Sequence, residues 1–278
     1  IGCSGGGRQA LVTAQRYPED YDGIWSSDPA INLPRMVLSE IWPALVMKEA
    51  GNPLPPAKLE AFRSAAIAAC DGLDGLRDGV IGAFDPLHFD ARSVIGTVTD
   101  AGPLTALDAE VMTRIWQGPH TSAGEFLWYG LRPGTESWGR NLLATGLCET
   151  REVDGTYEIL PADIAVGFIQ AWVVRDLAWD WKTLTFDQYE QFYQLAGSEL
   201  ASLGSDDPDL SSFRAAGGKI IISHGANDQL IPPEGTIQYY GRVIDALGSE
   251  EAVRSFARLF ITDGDGHALF TETGPGLL

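Results

Sequence analysis

Long apolar runs, basic residues and cysteines are all scarce in this sequence, and these scarcities narrow what the protein can be. No stretch approaches the roughly 20 consecutive apolar residues that a membrane-spanning helix needs. Lysine and arginine number 19 against 38 aspartates and glutamates, so the net charge of −19 disfavours binding to nucleic-acid phosphates. The 278 residues, 45% of them hydrophobic, are enough for one large domain or for a core domain with an insertion.

Cysteine pairing cannot account for every cysteine within this chain. The sequence has three, Cys3, Cys70 and Cys148, and an odd number leaves at least one without a partner in the same chain. No initiator methionine and no signal peptide are visible at the start. Only Ile1 precedes the first motif, although that motif normally follows a strand.

The first residues carry the pattern Gly-x-Ser-x-Gly, at Gly2, Ser4 and Gly6. In α/β-hydrolases this pattern forms the nucleophile elbow, a tight turn that holds a serine above a parallel sheet. Residues 9–15 are typical of a helix, which Tyr17-Pro18 ends. Ser4 would lie at the N-terminus of that helix, where backbone amides favour an oxyanion. Taken alone, the pattern is equally typical of a flexible glycine-rich terminus.

An acid and a histidine follow two later predicted strands. The β-branched run 219–224 predicts a buried parallel strand that leads into a loop with Asp228. The run 257–261 predicts another strand, which leads into a glycine-rich loop with His267. Open α/β sheets place their sites at the carboxyl ends of strands. The order Ser4, Asp228, His267 is therefore that of an α/β-hydrolase triad.

The chemistry of these side chains assigns each a role. Ser4 would attack an acyl carbon, His267 would take and return the proton, and Asp228 would orient the imidazole. The Gly5 N–H would be one oxyanion donor, and the earlier loop that normally supplies the second is not in the sequence. Simpler interpretations remain: Asp228 as a loop cap and His267 as an exposed loop residue. His224 is predicted to be structural rather than catalytic.

Three blocks around these residues resemble the tannase and feruloyl esterase family over nearly the whole chain. The matching residues are, for the nucleophile block, Gly2-Cys3-Ser4, Gly6-Gly7-Arg8-Gln9, 14–18 and 22–24; for the acid block, Asp209-Leu210, Phe213, 217–219, His224-Gly225, Asp228 and Ile231-Pro232-Pro233; and for the histidine block, Gly266-His267 and Gly274-Pro275-Gly276.

The resemblance implies an α/β fold, an α/β-hydrolase core with a mostly parallel sheet and a large inserted lid domain. We expect a partial core in residues 1–30 and 206–278, and a lid with a calcium loop in 31–205. The family's sheet has several strands before the elbow, so the sequence is expected to be truncated before the nucleophile strand and after the histidine loop. A missing N-terminal segment or a second chain would then complete the sheet.

The resemblance also implies a structural calcium site in the lid. The matching stretch contains Asp71, Asp74 and Asp78, whose side chains would bind the ion together with the carbonyl oxygens of Leu76 and Val80. Closely spaced carboxylates, with glycines that bend the loop, suit a hard cation that takes six to eight oxygens. The simpler interpretation is an acidic surface turn.

The sequence departs from the family at its cysteines. In the family, a cysteine next to the serine is bonded to one directly after the histidine. Here Cys3 is present but Ala268 follows His267, so that disulfide cannot form. Cys70 also lacks an obvious partner. Cys3 is either a reactive thiol beside the nucleophile or, if buried, an inert one.

Together these features predict a serine carboxylester hydrolase acting on small esters of hydroxycinnamic, gallic or related benzoic acids. Leu33 and Ile231, apolar residues near the strand ends, are predicted walls of the acyl site. An acyltransferase using the same triad and a non-catalytic pseudohydrolase binding module are the alternatives. Neither nucleic acid nor a membrane is an expected partner. The family implies secretion or a periplasmic location.

Overall fold

The computed structural model describes residues 1–82, 89–136 and 148–267. The chain divides into two compact units, Ile1–Leu33 with Ala201–Leu278, and Pro34–Leu200. The first unit contains the predicted triad. The second contains the loop of Asp71, Asp74 and Asp78, called the aspartate-rich loop below. Ala268 and the predicted match at Gly274-Pro275-Gly276 lie outside the described residues.

The strands are short. They are β1 (Gly2–Cys3), β2 (Gly23–Ser27), β3 (Val98–Thr99), β4 (Gly102–Pro103), β5 (Cys148–Val153), β6 (Thr156–Pro161), β7 (Lys219–Gly225) and β8 (Ala257–Thr262). Two of them, β7 and β8, lie at the predicted runs 219–224 and 257–261.

The other regular elements of the described chain are helices. The α-helices are α1 (Gly5–Arg16), α2 (Leu33–Ser39), α3 (Trp42–Ala50), α4 (Pro56–Cys70), α5 (Ala106–Gln117), α6 (Asp163–Phe168), α7 (Phe186–Glu199), α8 (Ser211–Ala215), α9 (Glu234–Leu247) and α10 (Glu250–Arg254). A π-helical segment, Ile169–Val174, continues α6.

The first unit is built on a parallel sheet in the order β1-β2-β7-β8. The predicted parallel sheet is thereby confirmed. One face buries Ile24, Ile220 and Ile222 against Leu11 of α1 and Tyr239 of α9. Because side chains alternate along a strand, the apolar core forms on one face of the sheet. Because the four strands are parallel, their carboxyl ends meet at one edge.

The opposite face of this sheet is less covered in the described residues. Ile221 is 47% exposed and Phe260 is 52% exposed. Trp25 lies beside Ile221 in the register and donates its indole N–H to the Ser223 hydroxyl at 2.8 Å. The sheet thus presents apolar side chains on this face, where parallel sheets usually carry further helices.

The second unit is mainly helical and has an aromatic core. Trp42 packs against Phe186 and Tyr189 with ring centroids 5.4 and 5.3 Å apart. The Arg114 guanidinium lies 4.3 Å from the centre of the Phe186 ring. At the start of α5, the buried Asp108 carboxylate accepts from the Thr105 N–H while the Thr105 hydroxyl accepts from the Asp108 N–H, which forms a capping box.

No helix in the described ranges is both long enough and apolar enough to cross a bilayer.

Candidate active site

Ser4 occupies a strained turn between β1 and α1. Its backbone has φ 59° and ψ −120°, a combination that non-glycine residues rarely adopt. The Ser4 N–H donates to Ser27 O at 3.0 Å, and Ser4 O accepts from Arg8 and Ala30 N–H groups. Its hydroxyl makes no capping bond to the helix, although serine commonly caps helices. The turn therefore holds the hydroxyl without using it in the helix.

The glycines that this turn requires differ from those that the motif names. A Cβ on Gly2 would lie 2.2 Å from Gly6 O, and one on Gly7 would lie 2.5 Å from Ser27 O. A Cβ on Gly6 would meet nothing within 4 Å beyond its own helix. Close backbone approach thus demands glycine at positions 2 and 7, whereas the second glycine of the motif, Gly6, has room for a side chain.

Gly5, the predicted oxyanion donor, is the first residue of α1. The first helical bond to the Ser4 carbonyl comes from the Arg8 N–H, at 3.0 Å. The amides that precede Arg8 in the first turn therefore have no partner in the helix ladder. Unpaired amides at a helix N-terminus form a favourable environment for an anion.

Asp228 and His267 meet at the carboxyl ends of β7 and β8. Asp228 Oδ2 lies 2.8 Å from His267 Nδ1. Asp228 Oδ1 accepts from the N–H groups of Leu230 and Ile231, both at 2.8 Å. The backbone N–H of His267 donates to Gln229 Oε1 at 2.9 Å. Asp228 therefore caps its own loop with one oxygen and binds the imidazole with the other, which places the Nδ1 proton toward the acid.

His224 is a second imidazole bound to the same carboxylate. Its Nε2 lies 3.1 Å from Asp228 Oδ2 and 2.9 Å from Ile231 O, and its Nδ1 lies 2.9 Å from Thr236 Oγ1. Both partners of Nε2 are acceptors, so this nitrogen carries a proton. Asp228 thus lies between two histidines, a contact that the sequence interpretation of His224 did not foresee.

The protonation equilibria at the site follow from this arrangement. Burial alone would raise the pKa of Asp228, but the hydrogen bonds and charges of His224 and His267 lower it to about 2. Burial opposes protonation of His267, yet the hydrogen bond to Asp228 and the charges of Asp228 and Asp28 raise its pKa overall. The acid is therefore held ionised and the imidazole is made a stronger base.

Of the predicted site residues, the structure brings Asp228 and His267 together. Within the described residues the Ser4 hydroxyl makes no hydrogen bond to His267. Leu33 begins α2 and is partly buried. Ile231 is 4% exposed and contributes backbone contacts to Asp228 and His224. The roles of Leu33 and Ile231 as walls of an acyl site stay predictions.

Sequence reasoning missed Asp28, a buried carboxylate at the end of β2. It follows the pair Ser26-Ser27 and precedes Pro29, a sequence that is typical of a turn. Its position directly after a strand could have indicated a role in the site, because polar residues that follow neighbouring parallel strands lie close together. β2 lies between β1 and β7, which carry the predicted nucleophile and acid.

No disulfide joins the three cysteines, all of which lie in described residues. Burial, together with the charge of Asp28, raises the pKa of Cys3 to about 12. A thiol with such a pKa is almost fully protonated at neutral pH, and the thiolate is the reactive form. Of the two alternatives for Cys3, the structure therefore favours the inert thiol.

The aspartate-rich loop of the second unit is exposed and is organised by its own carboxylates. Asp71 Oδ1 accepts from the N–H groups of Asp78 and Gly79, and Asp74 Oδ1 accepts from Leu76 N–H. Asp78 Oδ1 accepts from the N–H group of the residue two positions on. Each carboxylate thus keeps one oxygen outside these bonds, and an all-oxygen donor set suits calcium.

The carboxylates of this loop are not gathered into a tight cluster. In the part of the chain that the structure describes, three ligand atoms lie within 4.8 Å of one another only at Asp28, His224 and Asp228. Those atoms already hydrogen-bond within the site, and His224 Nε2 carries a proton between two acceptors. The buried group is therefore a hydrogen-bonded network rather than a ready set of metal ligands.

Comparison with known proteins identifies relatives along the whole chain. The family model described as tannase and feruloyl esterase matches residues 1–276. A probable feruloyl esterase from Arthroderma benhamiae is 34% identical over 271 residues, covering 96% of this chain and 49% of that protein. An uncharacterised esterase from Xanthomonas campestris is 31% identical, and the match covers 99% of this chain and 50% of that protein.

Solved structures show the same relationship. The tannin acyl hydrolase from Aspergillus niger aligns with a TM-score of 0.86 at 25% identity, covering 98% of this chain and 52% of that chain. Feruloyl esterase B from Aspergillus oryzae aligns with a TM-score of 0.75 at 25% identity, covering 96% of this chain and 51% of that chain. The fold is thus of the α/β-hydrolase type, and the chain spans about half the length of the relatives it matches. The chain belongs to the tannase and feruloyl esterase family.

Proposed function

We propose that the protein is a serine carboxylester hydrolase in which Ser4, His267 and Asp228 act as nucleophile, base and acid. The observation that carries the proposal is the 2.8 Å hydrogen bond between Asp228 Oδ2 and His267 Nδ1. This bond fixes the tautomer in which His267 Nε2 is able to accept a proton. The strained backbone of Ser4, at the N-terminus of α1, supports its role as the nucleophile.

In the proposed reaction the Ser4 hydroxyl attacks the ester carbonyl carbon while His267 Nε2 takes its proton. The carbonyl oxygen becomes an oxyanion, which the Gly5 N–H stabilises at the start of α1. The C–O bond to the leaving alcohol then breaks, and His267 returns the proton to that oxygen. Water, deprotonated by His267, next attacks the acyl carbon, the bond from that carbon to Ser4 Oγ breaks, and His267 returns the proton to Ser4 Oγ as the acid leaves. Asp228 stays ionised throughout and stabilises the imidazolium.

The substrate class rests on the family and its relatives. Feruloyl esterases and a tannin acyl hydrolase are among the matched proteins, so we infer that small esters of hydroxycinnamic, gallic or related benzoic acids are substrates. Leu33 and Ile231 are the proposed walls of the acyl site. We propose further that the second unit acts as a lid and, by analogy with the family, that the protein is secreted or periplasmic.

The proposed cofactor is a structural calcium ion in the second unit. Asp71, Asp74 and Asp78 would hold it through their side chains, with carbonyl oxygens from Leu76 and Val80. Their short spacing and exposed oxygens support this proposal, and an ion would draw the three carboxylates together. Its role would be to stabilise the loop, since no step of the proposed reaction passes through it.

The proposal is tested by replacing the nucleophile. We expect Ser4→Ala to lower kcat/KM for methyl ferulate and methyl gallate by about 10⁴-fold or more, as loss of a triad member does. Ser212→Ala, which changes an exposed serine of α8, is the matched control and keeps full activity. The measurement is the release of free acid, assayed with and without an added alcohol acceptor.

Unchanged ester cleavage in Ser4→Ala would overturn the proposal. If the wild-type protein instead transfers the acyl group mainly to the added alcohol, the triad stands but the reaction is acyl transfer. Ligand binding with no Ser4-dependent turnover would indicate a pseudohydrolase.

A further inference from the structure

A carboxylate outside the proposed triad joins three strand ends of the first unit. Asp28 is fully buried at the carboxyl end of β2. Its Oδ1 accepts from the Gly225 N–H at 2.9 Å, at the end of β7. Its Oδ2 accepts from the Ser27 hydroxyl at 2.7 Å and from the Cys3 thiol at 3.6 Å, at the end of β1. One side chain therefore bridges the strand before Ser4 and the strand before the acid loop.

The backbone at Asp28 is itself unusual. Its φ is +40°, in the left-handed region, although it directly precedes Pro29. Residues before proline normally adopt extended conformations, and positive φ is costly for residues other than glycine. The Asp28 N–H donates to Ser223 O at 2.8 Å, which helps to hold the turn in place. Strained residues of this kind cluster at functional sites.

Every hydrogen-bond partner given above for the Asp28 side chain is a donor, which fits an ionised carboxylate. Its charge acts on both histidines: burial opposes the protonation of His267 and His224, but Asp228 and Asp28 together raise both pKa values. The charge of His224 opposes the protonation of His267. The charge of Asp28 thus adds to that of Asp228 at the proposed base.

Two further groups of the first unit respond to the same charge. Burial, and then the charge of Asp28, raises the pKa of Asp265, which precedes His267 by two residues. Burial, Asp28 and more weakly Asp228 raise the pKa of Cys3. Cys3 is therefore a natural reporter of the charge on Asp28.

We propose that Asp28 is a positioning residue of the active site, which ties the strand end that carries Ser4 to the loop that carries Asp228 and places a second negative charge beside the His267–Asp228 pair. The inference rests on the proposed esterase function. It assigns Asp28 no contact with substrate. Its predicted effects are on the geometry of the nucleophile and on the basicity of the imidazole.

Two substitutions separate the charge from the bridge. Asp28→Asn keeps an oxygen that can accept from the Gly225 N–H but removes the negative charge. Asp28→Ala removes both and leaves the buried Gly225 N–H without its acceptor. Asp245→Asn, which removes one charge from the exposed face of α9, is the control for a general change in net charge.

The first readout is the pH dependence of kcat/KM. We expect Asp28→Asn to move the acid limb to lower pH by about half a unit, since His267 loses a neighbouring anion and its pKa falls. Asp245→Asn leaves the limb where the wild type has it. Asp28→Ala is expected to lower kcat by about 10- to 100-fold with a smaller change in KM, because the nucleophile is misplaced. An unchanged limb and an unchanged kcat in Asp28→Asn would overturn the inference.

The second readout does not depend on catalysis. The rate at which iodoacetamide alkylates Cys3, followed by peptide mass spectrometry, reports its thiolate fraction. We expect Asp28→Asn to raise this rate at pH 8 by about tenfold for each unit by which the Cys3 pKa falls. The buried Cys70 and Cys148 give an internal reference for folding in the same sample. An unchanged Cys3 rate would contradict the contact.

These outcomes distinguish the two proposals. Wild-type protein without Ser4-dependent hydrolysis would overturn the esterase function and the catalytic part of the role of Asp28, whereas the alkylation rate would still test the bridge to Cys3. Ser4-dependent hydrolysis with neither an altered acid limb nor an altered Cys3 rate in Asp28→Asn would leave the esterase intact and reject the role of Asp28.

Discussion

The strand ends of the first unit and the aspartate-rich loop of the second unit both carry clustered acidic residues, yet they differ in construction. At the strand ends, Asp28 and Asp228 are buried and accept hydrogen bonds from several strands and loops. In the loop, Asp71 is partly exposed and Asp74 is exposed, and both accept from backbone amides of the same loop. Buried carboxylates need such partners, whereas exposed ones do not.

This difference indicates which groups depend on the fold and which depend on a ligand. The buried network is complete without a bound ion, because its oxygens are already satisfied by protein donors. The exposed loop keeps carboxylate oxygens outside its internal hydrogen bonds, so a bound cation would stabilise this loop more than it would stabilise the buried network. Changes in the first unit should therefore affect catalysis and folding strongly, and changes in the second should act mainly through stability.

The largest expected effect comes from removing the charge of the acid. Asp228→Asn should lower kcat by about 10⁴-fold, because the amide no longer holds His267 in the required tautomer. Asp245→Asn again controls for the loss of one charge. The measurement is steady-state kinetics across pH, with the fold checked by circular dichroism. Activity within tenfold of the wild type would show that Asp228 only caps its loop.

The next effect separates two adjacent glycines of the elbow. Gly7→Ala places a Cβ against Ser27 O and should destabilise the protein by about 1–3 kcal/mol, as overpacking does. Gly6→Ala enters open space within a helix and should leave the free energy of unfolding within about 1 kcal/mol of the wild type. Urea unfolding measures both. Equal destabilisation by the two variants would mean that the turn relaxes.

The smallest effect is expected at the loop of the second unit. Chelation should lower the melting temperature by a few degrees, and calcium should restore it, since an ion that binds only the folded state stabilises it by mass action. The double variant Asp71→Asn, Asp78→Asn should show no response, while Asp100→Asn, an exposed acid elsewhere in the unit, responds as the wild type. If chelation removes no metal and shifts no melting temperature, the calcium proposal is wrong.

Much of the first unit could be predicted because its signals are local. The run 219–224 predicted β7, the run 257–261 predicted β8, and both strands formed close to those bounds. Neighbouring parallel strands bring their carboxyl ends together, so the meeting of Asp228 and His267 followed from two separate strand-to-loop junctions.

The features that escaped prediction depend on which strands are neighbours. Asp28 reads as a turn residue before proline, and its contact with Gly225 exists only because β2 pairs with β7. The need for glycine at position 7 likewise comes from Ser27, at the end of β2, against which α1 packs. In the second unit, the π-helical segment Ile169–Val174 directly follows α6, and the spacing of apolar residues does not reveal it.

The central claim is that the strand ends of the first unit activate Ser4. Its most direct test is intact-mass and peptide mapping after exposure to a serine-reactive fluorophosphonate. The account predicts a single adduct on Ser4 that forms at least about 100-fold more slowly in His267→Ala, because the base is then missing. No adduct, or one that forms equally fast without His267, would contradict the claim that these residues work as a catalytic triad.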